Sequence, residues 1–350
     1  MTSNNYAEAA QLFRHALSPE DAARLPFYGQ LVKAMAEDTT CLDILSSTPR
    51  RQRKPVLLLA ALHYAARRDM NSMSQLFARG LRPGEDLGLV IDEVLREVAR
   101  SPELITQHIH RSTQTNEPGR SAVIGAVLQE LATRGSNSIA LIDVGCSAGL
   151  NLYPDFIPVN DDASPLSLIC NDLIDIDRAK AFPRIELRFG IDTNPLDVSR
   201  EDDRQWLAAC VWPEDQTRLL RLEQLVDTLP SWPEPHIFVG DATEQLSAVL
   251  LEIPDGVTPV IVNSWVLAYF SPAEQLAYYE LVTELCRSAG AAWISIESSF
   301  DVAFHQLNNP AHPSPKKGAS SILVCEPGGV PSAWGWCHPH GHWLSFTPSA

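Results

Sequence analysis

The chain has 350 residues, 45% hydrophobic and 20% charged. Those proportions give a folded protein with room for two domains and exclude a disordered one. The net charge of −16 is unevenly placed: residues 1–118 balance at 14 basic and 14 acidic groups, so the whole excess lies in residues 119–350. An acidic domain repels phosphate backbones, so no nucleic-acid partner is expected. The longest aliphatic run, Val56 to Leu62, is far short of the ~20 residues that span a bilayer. The opening MTSNNYAEAA has neither a basic start nor an apolar stretch, so no secretory signal and no membrane association are expected. Seven cysteines, from Cys41 to Cys337 with no CxxC pair, read as reduced, mostly buried thiols of a cytoplasmic protein. The basic run Arg50, Arg51, Arg53, Lys54 reads as a solvated loop.

The first ~115 residues carry apolar positions at spacings of three and four, the period of helices. Ser18 and Pro19 have the form of a helix start, and Pro55 opens the apolar stretch VLLLAALHYAA. Leu87 to His110 keeps a helical period with a break at Ser101-Pro102. Near residue 137 the pattern changes to short apolar runs alternating with helices. The expected strands are Ile139–Val144, Leu166–Cys170, Ile185–Phe189, His236–Val239, Pro259–Val262 and Ala291–Ile296, with helices at Glu244–Leu251 and Pro272–Ser288. Such alternation implies βαβ units and a mainly parallel sheet. Residues 172–235 exceed one crossover and read as an insertion. After the Pro-rich HQLNNPAHPSPKKG, the strands Ile322–Cys325, Ala333–Cys337 and His342–Phe346 close the chain as an antiparallel end. The fold class is thus α/β: a doubly wound sheet with antiparallel C-terminal strands over 116–350, preceded by a helical domain over 1–115.

The sharpest local feature is Leu141-Ile-Asp-Val-Gly-Cys-Ser-Ala-Gly-Leu-Asn151, a strand running into a tight turn with a helix expected after it. Glycines there let a backbone approach a ligand. Three chemistries use such a turn. A dinucleotide GxGxxG fails, because positions 147 and 150 are Ser and Leu. A hydrolase elbow, GxSxG, matches Gly145 to Gly149, with Asp241 or Asp255 and then His338 or His340 to complete a triad. The helical upstream region, which lacks an HGGG-like stretch, speaks against it. The third is the S-adenosylmethionine turn of class I methyltransferases, in which Asp143, Gly145 and Gly149 fit and Ser147 replaces the middle glycine.

Over residues 110–350 the chain resembles that class in four ordered motifs. Beyond the turn, Cys170-Asn171-Asp172 resembles the acid that binds ribose hydroxyls. Val239-Gly240-Asp241-Ala242 resembles the motif whose acid faces the adenine amine. Val260 to Ser271 resembles the fourth strand and its loop. A narrower resemblance spans nearly the whole chain. GCSAGLNL, Gln114-Thr-Asn-Glu-Pro-Gly-Arg120, Phe189-Gly-Ile-Asp-Thr-Asn-Pro-Leu-Asp197, Val211-Trp-Pro-Glu-Asp215 and His338-Pro-His-Gly341 look like the bacterial domain of unknown function 2332 family. That family brings no established activity.

The resemblance implies S-adenosylmethionine as cofactor, held by Asp143, Gly145, Ser147, Gly149, Asn151, Asp172, Asp241, Ala242 and Asn263. The acceptor would be a small molecule or a protein, in a pocket drawn from Gln114, Asn116, Glu117, Arg120, Ser264, Trp265, Tyr269 and Glu297. Each has a structural alternative. Asp143 can simply order the turn. Thr115 or Asn116 can cap a helix that Pro118 opens. Trp265 and Tyr269 can pack in the core, and Glu297 can be a base or a paired acid. No metal is expected: a site needs three or four converging ligands, and the Pro-His-Gly turn breaks the alternation of His338, His340 and His342 beside Cys337. In the methyltransferase topology that turn lies away from the cofactor edge, and Glu326-Pro-Gly-Gly faces it. A non-catalytic binding module on the same scaffold stays open.

Overall fold

A computed structural model describes residues 3–17, 19–49, 52–69, 84–161, 164, 166–168, 170, 182–308, 314 and 316–347. The chain divides into two compact units, Met1–Thr115 with Leu196–Glu223, and Asn116–Pro195 with Gln224–Ala350. All seven cysteines are free thiols, six of them buried. No helix among the described residues is long and apolar enough to cross a membrane.

The first unit holds the helices α1 (Ser3–Arg14), α2 (Pro19–Arg24), α3 (Pro26–Met35), α4 (Thr39–Ser47), α5 (Pro55–Asp69), α6 (Leu87–Arg100) and α7 (Glu103–Thr106). Local chemistry sets several starts. Asp38 accepts the Cys41 amide at the head of α4, and Asp86 accepts those of Gly88 and Leu89 at the head of α6. Phe13, Tyr28, Leu31, Met35, Leu58, Leu62 and Val94 form a continuous core with Trp206. That tryptophan comes from the segment read as an insertion, and the structure gives the segment a role. Its indole N–H donates to the Ser112 carbonyl at 3.0 Å. Glu214 of the VWPED motif accepts the Phe27 and Tyr28 amides at 2.9 and 2.8 Å. It thereby satisfies first-turn donors of α3 that no helical carbonyl can reach.

The second unit is built on an eight-stranded sheet of order β3-β2-β1-β4-β5-β6-β7-β8. The strands are β1 (Ser138–Val144), β2 (Arg184–Asp192), β3 (His236–Val239), β4 (Thr258–Ser264), β5 (Ala292–Ser298), β6 (Ser320–Cys325), β7 (Ser332–Cys337) and β8 (Leu344–Phe346). The first five pair in parallel and the rest antiparallel. The helix α8 (Arg120–Thr133) precedes β1; α9 (Glu201–Ala209) and the start of α10 (Gln216–Thr228), which follow β2 in the chain, belong to the first unit; α11 (Ala242–Leu251), α12 (Pro272–Ser288) and α13 (Ala303–Leu307) follow β3, β4 and β5. Ile142, Ile261, Trp293, Tyr278, Val282 and Leu246 sit in the sheet's core.

Three expectations are corrected. Of the expected strand Leu166–Cys170, the described residues 166–168 and 170 lie in no sheet strand, and Leu168 makes one isolated bridge to Val159. The strand beside β1 is Arg184–Asp192, which overlaps the expected Ile185–Phe189 and extends past it. Its alternation of charged and apolar residues, RIELR, is the half-buried strand pattern, whereas LSLIC is only a short apolar run. Second, no long helix follows the glycine turn. A single 3-10 turn spans Leu150–Leu152, because Tyr153-Pro154 disfavours helical backbone at 153 and removes an amide at 154.

The third correction concerns direction. β6 runs antiparallel directly beside β5, with Ser298 opposite Ser320 and Trp293 opposite Cys325. Cys337 of β7 returns opposite Ser320. The turn at 338–341 therefore lies on the edge where β1, β4 and β5 end, and Glu326-Pro-Gly-Gly lies on the other. A parallel neighbour would need a crossover helix. Here β6 starts at the edge where β5 ends, with Ser320 opposite Ser298.

Candidate functional site

The strand order reverses between β1 and β4, and ligands of open α/β sheets bind beyond the carboxyl ends of strands at such a point. At this edge β1 delivers Asp143 and then a turn in left-handed backbone, with φ of 75° at Gly145, 54° at Ser147 and 74° at Gly149. The Gly145 amide donates to Ile191 O at 2.8 Å, and the Gly149 amide to Cys146 O at 2.8 Å. A Cβ on Gly145 would meet Val266 at 2.5 Å, so Val266 closes the turn on that face. Ahead of α8, Asn116 Oδ1 accepts the Leu150 amide at 2.9 Å, and in its first turn Ser121 Oγ donates to Asn151 Oδ1 at 3.0 Å. Asn116 and Asn151 thus brace the turn.

The acid that ends the second strand is Asp192. Its Oδ2 accepts the Ser147 amide at 2.9 Å and its Oδ1 the Asn194 amide at 2.8 Å. Asp172, expected in that place, lies outside the described residues. Asp192 was missed because the second strand was placed too early. Its signal was the acid directly after the apolar end of RIELRFGI. On the far side of β2, Asp241 accepts the Thr243 amide at 2.8 Å as the cap of α11, and Ala242 is buried in the first turn. Asp241→Ala is expected to lower stability by about 1 kcal/mol in urea unfolding, and Asp241→Asn by only a few tenths. Loss of ligand affinity in the asparagine variant would then report a contact separate from the cap.

β4 and β5 deliver a second set of groups. Asn263 is fully buried; its amide donates to Ser295 Oγ at 2.8 Å and Glu297 Oε1 at 2.9 Å, and accepts from Trp293 Nε1 at 2.7 Å and Tyr278 OH at 3.3 Å. Its bonding capacity is filled, which makes it a scaffold residue and leaves nothing for the cofactor expected there. Glu297 Oε1 also accepts the Val266 and Leu267 amides at 3.1 and 3.3 Å, holding the loop after β4. Trp265 in that loop has φ of 58°, strained for a bulky residue. Its indole donates to Ser320 Oγ at 2.8 Å. Tyr269 is 55% exposed, so it is not core.

Arg120 is buried, and its guanidinium donates to Ser264 O at 2.9 Å and Pro339 O at 3.1 Å. Burial pushes Asp143 and Glu297 each up to about 7, and the Arg120 charge pulls both back down. Glu117 accepts the Gly119 amide at 3.0 Å. Gln114 belongs to the helical unit, where its backbone N–H donates to Cys210 Sγ at 3.4 Å. Five buried side-chain atoms among the described residues lack a hydrogen-bond partner. Four of them, Asp143 Oδ2, Ser147 Oγ, Ser264 Oγ and Glu297 Oε2, lie on this one edge. Clustered unsatisfied polar atoms are what a site for water or a polar ligand leaves in a bare chain.

The hydrolase triad is not assembled. Ser147 Oγ has no partner, and Asp255 precedes β4 on the opposite edge. Asp241 follows β3, and β3 and β7 are six strand positions, about 29 Å, apart. The buried His305 contacts Ser295 Oγ at 2.8 Å and Ser321 Oγ at 2.6 Å, and burial drops it to about 3, so it stays neutral. The turn after β7 departs furthest from expectation. It curls instead of scattering its imidazoles, and a ring nitrogen of each of His338, His340 and His342 falls within 4.8 Å of the others.

No curated protein and no solved structure matches the chain. The description that matches, over residues 10–346, is "Uncharacterized protein conserved in bacteria (DUF2332)". The glycine turn braced by Asn116, the VWPED motif capping α3 and the histidine turn locked to Gly119 and Arg120 all lie within that span, and the chain belongs to this family.

Proposed function

We propose that the protein binds S-adenosylmethionine and transfers its methyl group to a small-molecule or protein acceptor, on a Rossmann-like methyltransferase scaffold. The observation that carries this reading is the bond between the Ser147 amide and the Asp192 carboxylate. It brings the acid of the second strand onto the glycine turn, beside the reversal of strand order. A carboxylate there suits vicinal ribose hydroxyls. The unpartnered Asp143 Oδ2 and Ser147 Oγ suit a polar ligand over the turn. When bound, the cofactor supplies a methyl group already activated by its sulfonium. The chain's own contribution is then positioning and exclusion of water. Asp192 orients, the loop carrying Trp265 and Tyr269 offers the acceptor surface, and Arg120 ties that loop to the histidine turn. Glu297 holds the loop backbone through Oε1 and keeps its second oxygen out of solvent, which makes it a positioning residue.

Calorimetric titration with S-adenosylmethionine and S-adenosylhomocysteine tests this. Micromolar binding is expected, weakened tenfold or more, about 1.4 kcal/mol, in Asp192→Ala and less in Asp192→Asn. Absence of heat with folded protein overturns the reading. A second reading, a serine hydrolase, has the left-handed backbone of Ser147 in its favour and no base beside it. Labelling of Ser147 by a fluorophosphonate, lost in Ser147→Ala, would establish it. Cofactor binding without turnover on any acceptor would leave a binding module.

A further inference from the structure

The turn joining β7 to β8 carries three imidazoles and is held rigidly. The His338 amide donates to Trp343 O at 3.0 Å, and the Gly341 amide to His338 O at 2.8 Å. The Pro339 carbonyl accepts from Arg120. Gly341 rests on the Gly119 backbone so closely that a Cβ would lie 1.9 Å from the Gly119 oxygen. The three rings gather on this frame. His338 and His342 stack at 4.3 Å and 13°, and His340 lies 5.3 and 5.9 Å from them. All three are partly buried.

We propose that His338, His340 and His342 together bind one divalent transition-metal cation of the zinc type. Bonds of about 2.0–2.1 Å in a tetrahedral site set ligand nitrogens roughly 3.3 Å apart. The present spread, at most 4.8 Å, closes to that by side-chain rotation on a fixed backbone. The donor set is imidazole alone: among the described residues the three histidines make up the whole cluster, and the fully buried Cys337 is not in it. Such a set selects zinc, copper, nickel or iron over magnesium and calcium. Three ligands on a partly open turn leave a coordination position for water or a substrate atom. The turn lies on the edge of the sheet that carries the glycine turn, and the proposal does not depend on methyl transfer.

The bond at His338 Nδ1 must change on loading. The His340 amide donates to His338 Nδ1 at 3.0 Å. If Nδ1 takes the cation, its lone pair is used; if Nε2 does, Nδ1 carries the proton. Either way the amide loses its acceptor.

The test uses untagged full-length protein titrated with Co²⁺ and with Zn²⁺. One equivalent is expected to bind at micromolar or better. Co²⁺ should give visible absorption bands, Zn²⁺ should displace it, and the His340 amide resonance should shift. The double variant His340→Ala/His342→Ala should bind at least 100-fold more weakly, with an unchanged circular dichroism spectrum. The exposed His15→Ala should bind as the parent does. If the double variant misfolds, His342→Gln, which keeps bulk and polarity, should still lose tenfold or more. Binding weaker than millimolar, or equal binding by the parent and the turn variants, overturns the proposal.

Discussion

Gly341→Ala is expected to destabilise the sheet unit by roughly 3–5 kcal/mol, a fall in Tm of about 10 °C. Two costs combine at this position. Its φ of 73° is left-handed, which costs an L-residue about 1 kcal/mol. The new methyl would also stand 1.9 Å from the Gly119 oxygen and 2.3 Å from its carbonyl carbon. Both are backbone atoms, so no side-chain rotation relieves the overlap. The reciprocal contact is equally tight, with a Cβ at Gly119 falling 2.0 Å from His340 O. Gly256→Ala separates the two costs: Gly256 has φ of 84° and nothing within 4 Å of its Cβ position, so only the backbone term of about 1 kcal/mol is expected. Urea unfolding of both variants measures the difference. Equal losses would remove the argument that two chain crossings are locked here.

Arg120→Met is expected to cost about 4 kcal/mol at pH 8 and about half that at pH 5.5. Burial holds Asp143 and Glu297 at about 7, against ordinary values of 3.8 and 4.5. The folded protein therefore binds protons more tightly than the unfolded chain between about pH 4 and 7, and these groups lower stability as pH rises through that window. Arg120 softens the penalty by its charge. Without it both carboxyl groups rise further, so at pH 8 the variant either keeps them ionised without the Arg120 charge or takes up protons from a basic solution, and either costs stability. At pH 5.5 both are protonated, and the loss reduces to the bonds to Ser264 O and Pro339 O. The buried His63 and His305, each pushed down to about 3, act oppositely: their contribution falls as pH drops from about 6.5 to 3. They are common to both proteins and cancel in the difference. A loss independent of pH would show that Arg120 does not act on the carboxylates.

The local pattern of the chain determined much by itself. The change of period near residue 137 marked where helices give way to strands, and Pro272–Ser288 was bounded by its own capping box and proline. The left-handed glycines of the turn after β1 were legible as a place needing a special backbone. These features answer to neighbours a few residues away. What the sequence left open is pairing. Two short apolar runs read equally as strands, and only packing against β1 made Arg184–Asp192 its neighbour and put Asp192 on the turn. The direction of β6 shows only in its pairing with β5, and that reversed the edge on which the histidine turn lies. Its three imidazoles converge because Gly341 meets Gly119, more than two hundred residues away in the chain. The burial that moves Asp143 and Glu297 likewise depends on strands and helices distant in sequence. Backbone period and φ are local quantities written in adjacent residues, whereas register, strand direction and burial are set by contacts the chain makes only once folded.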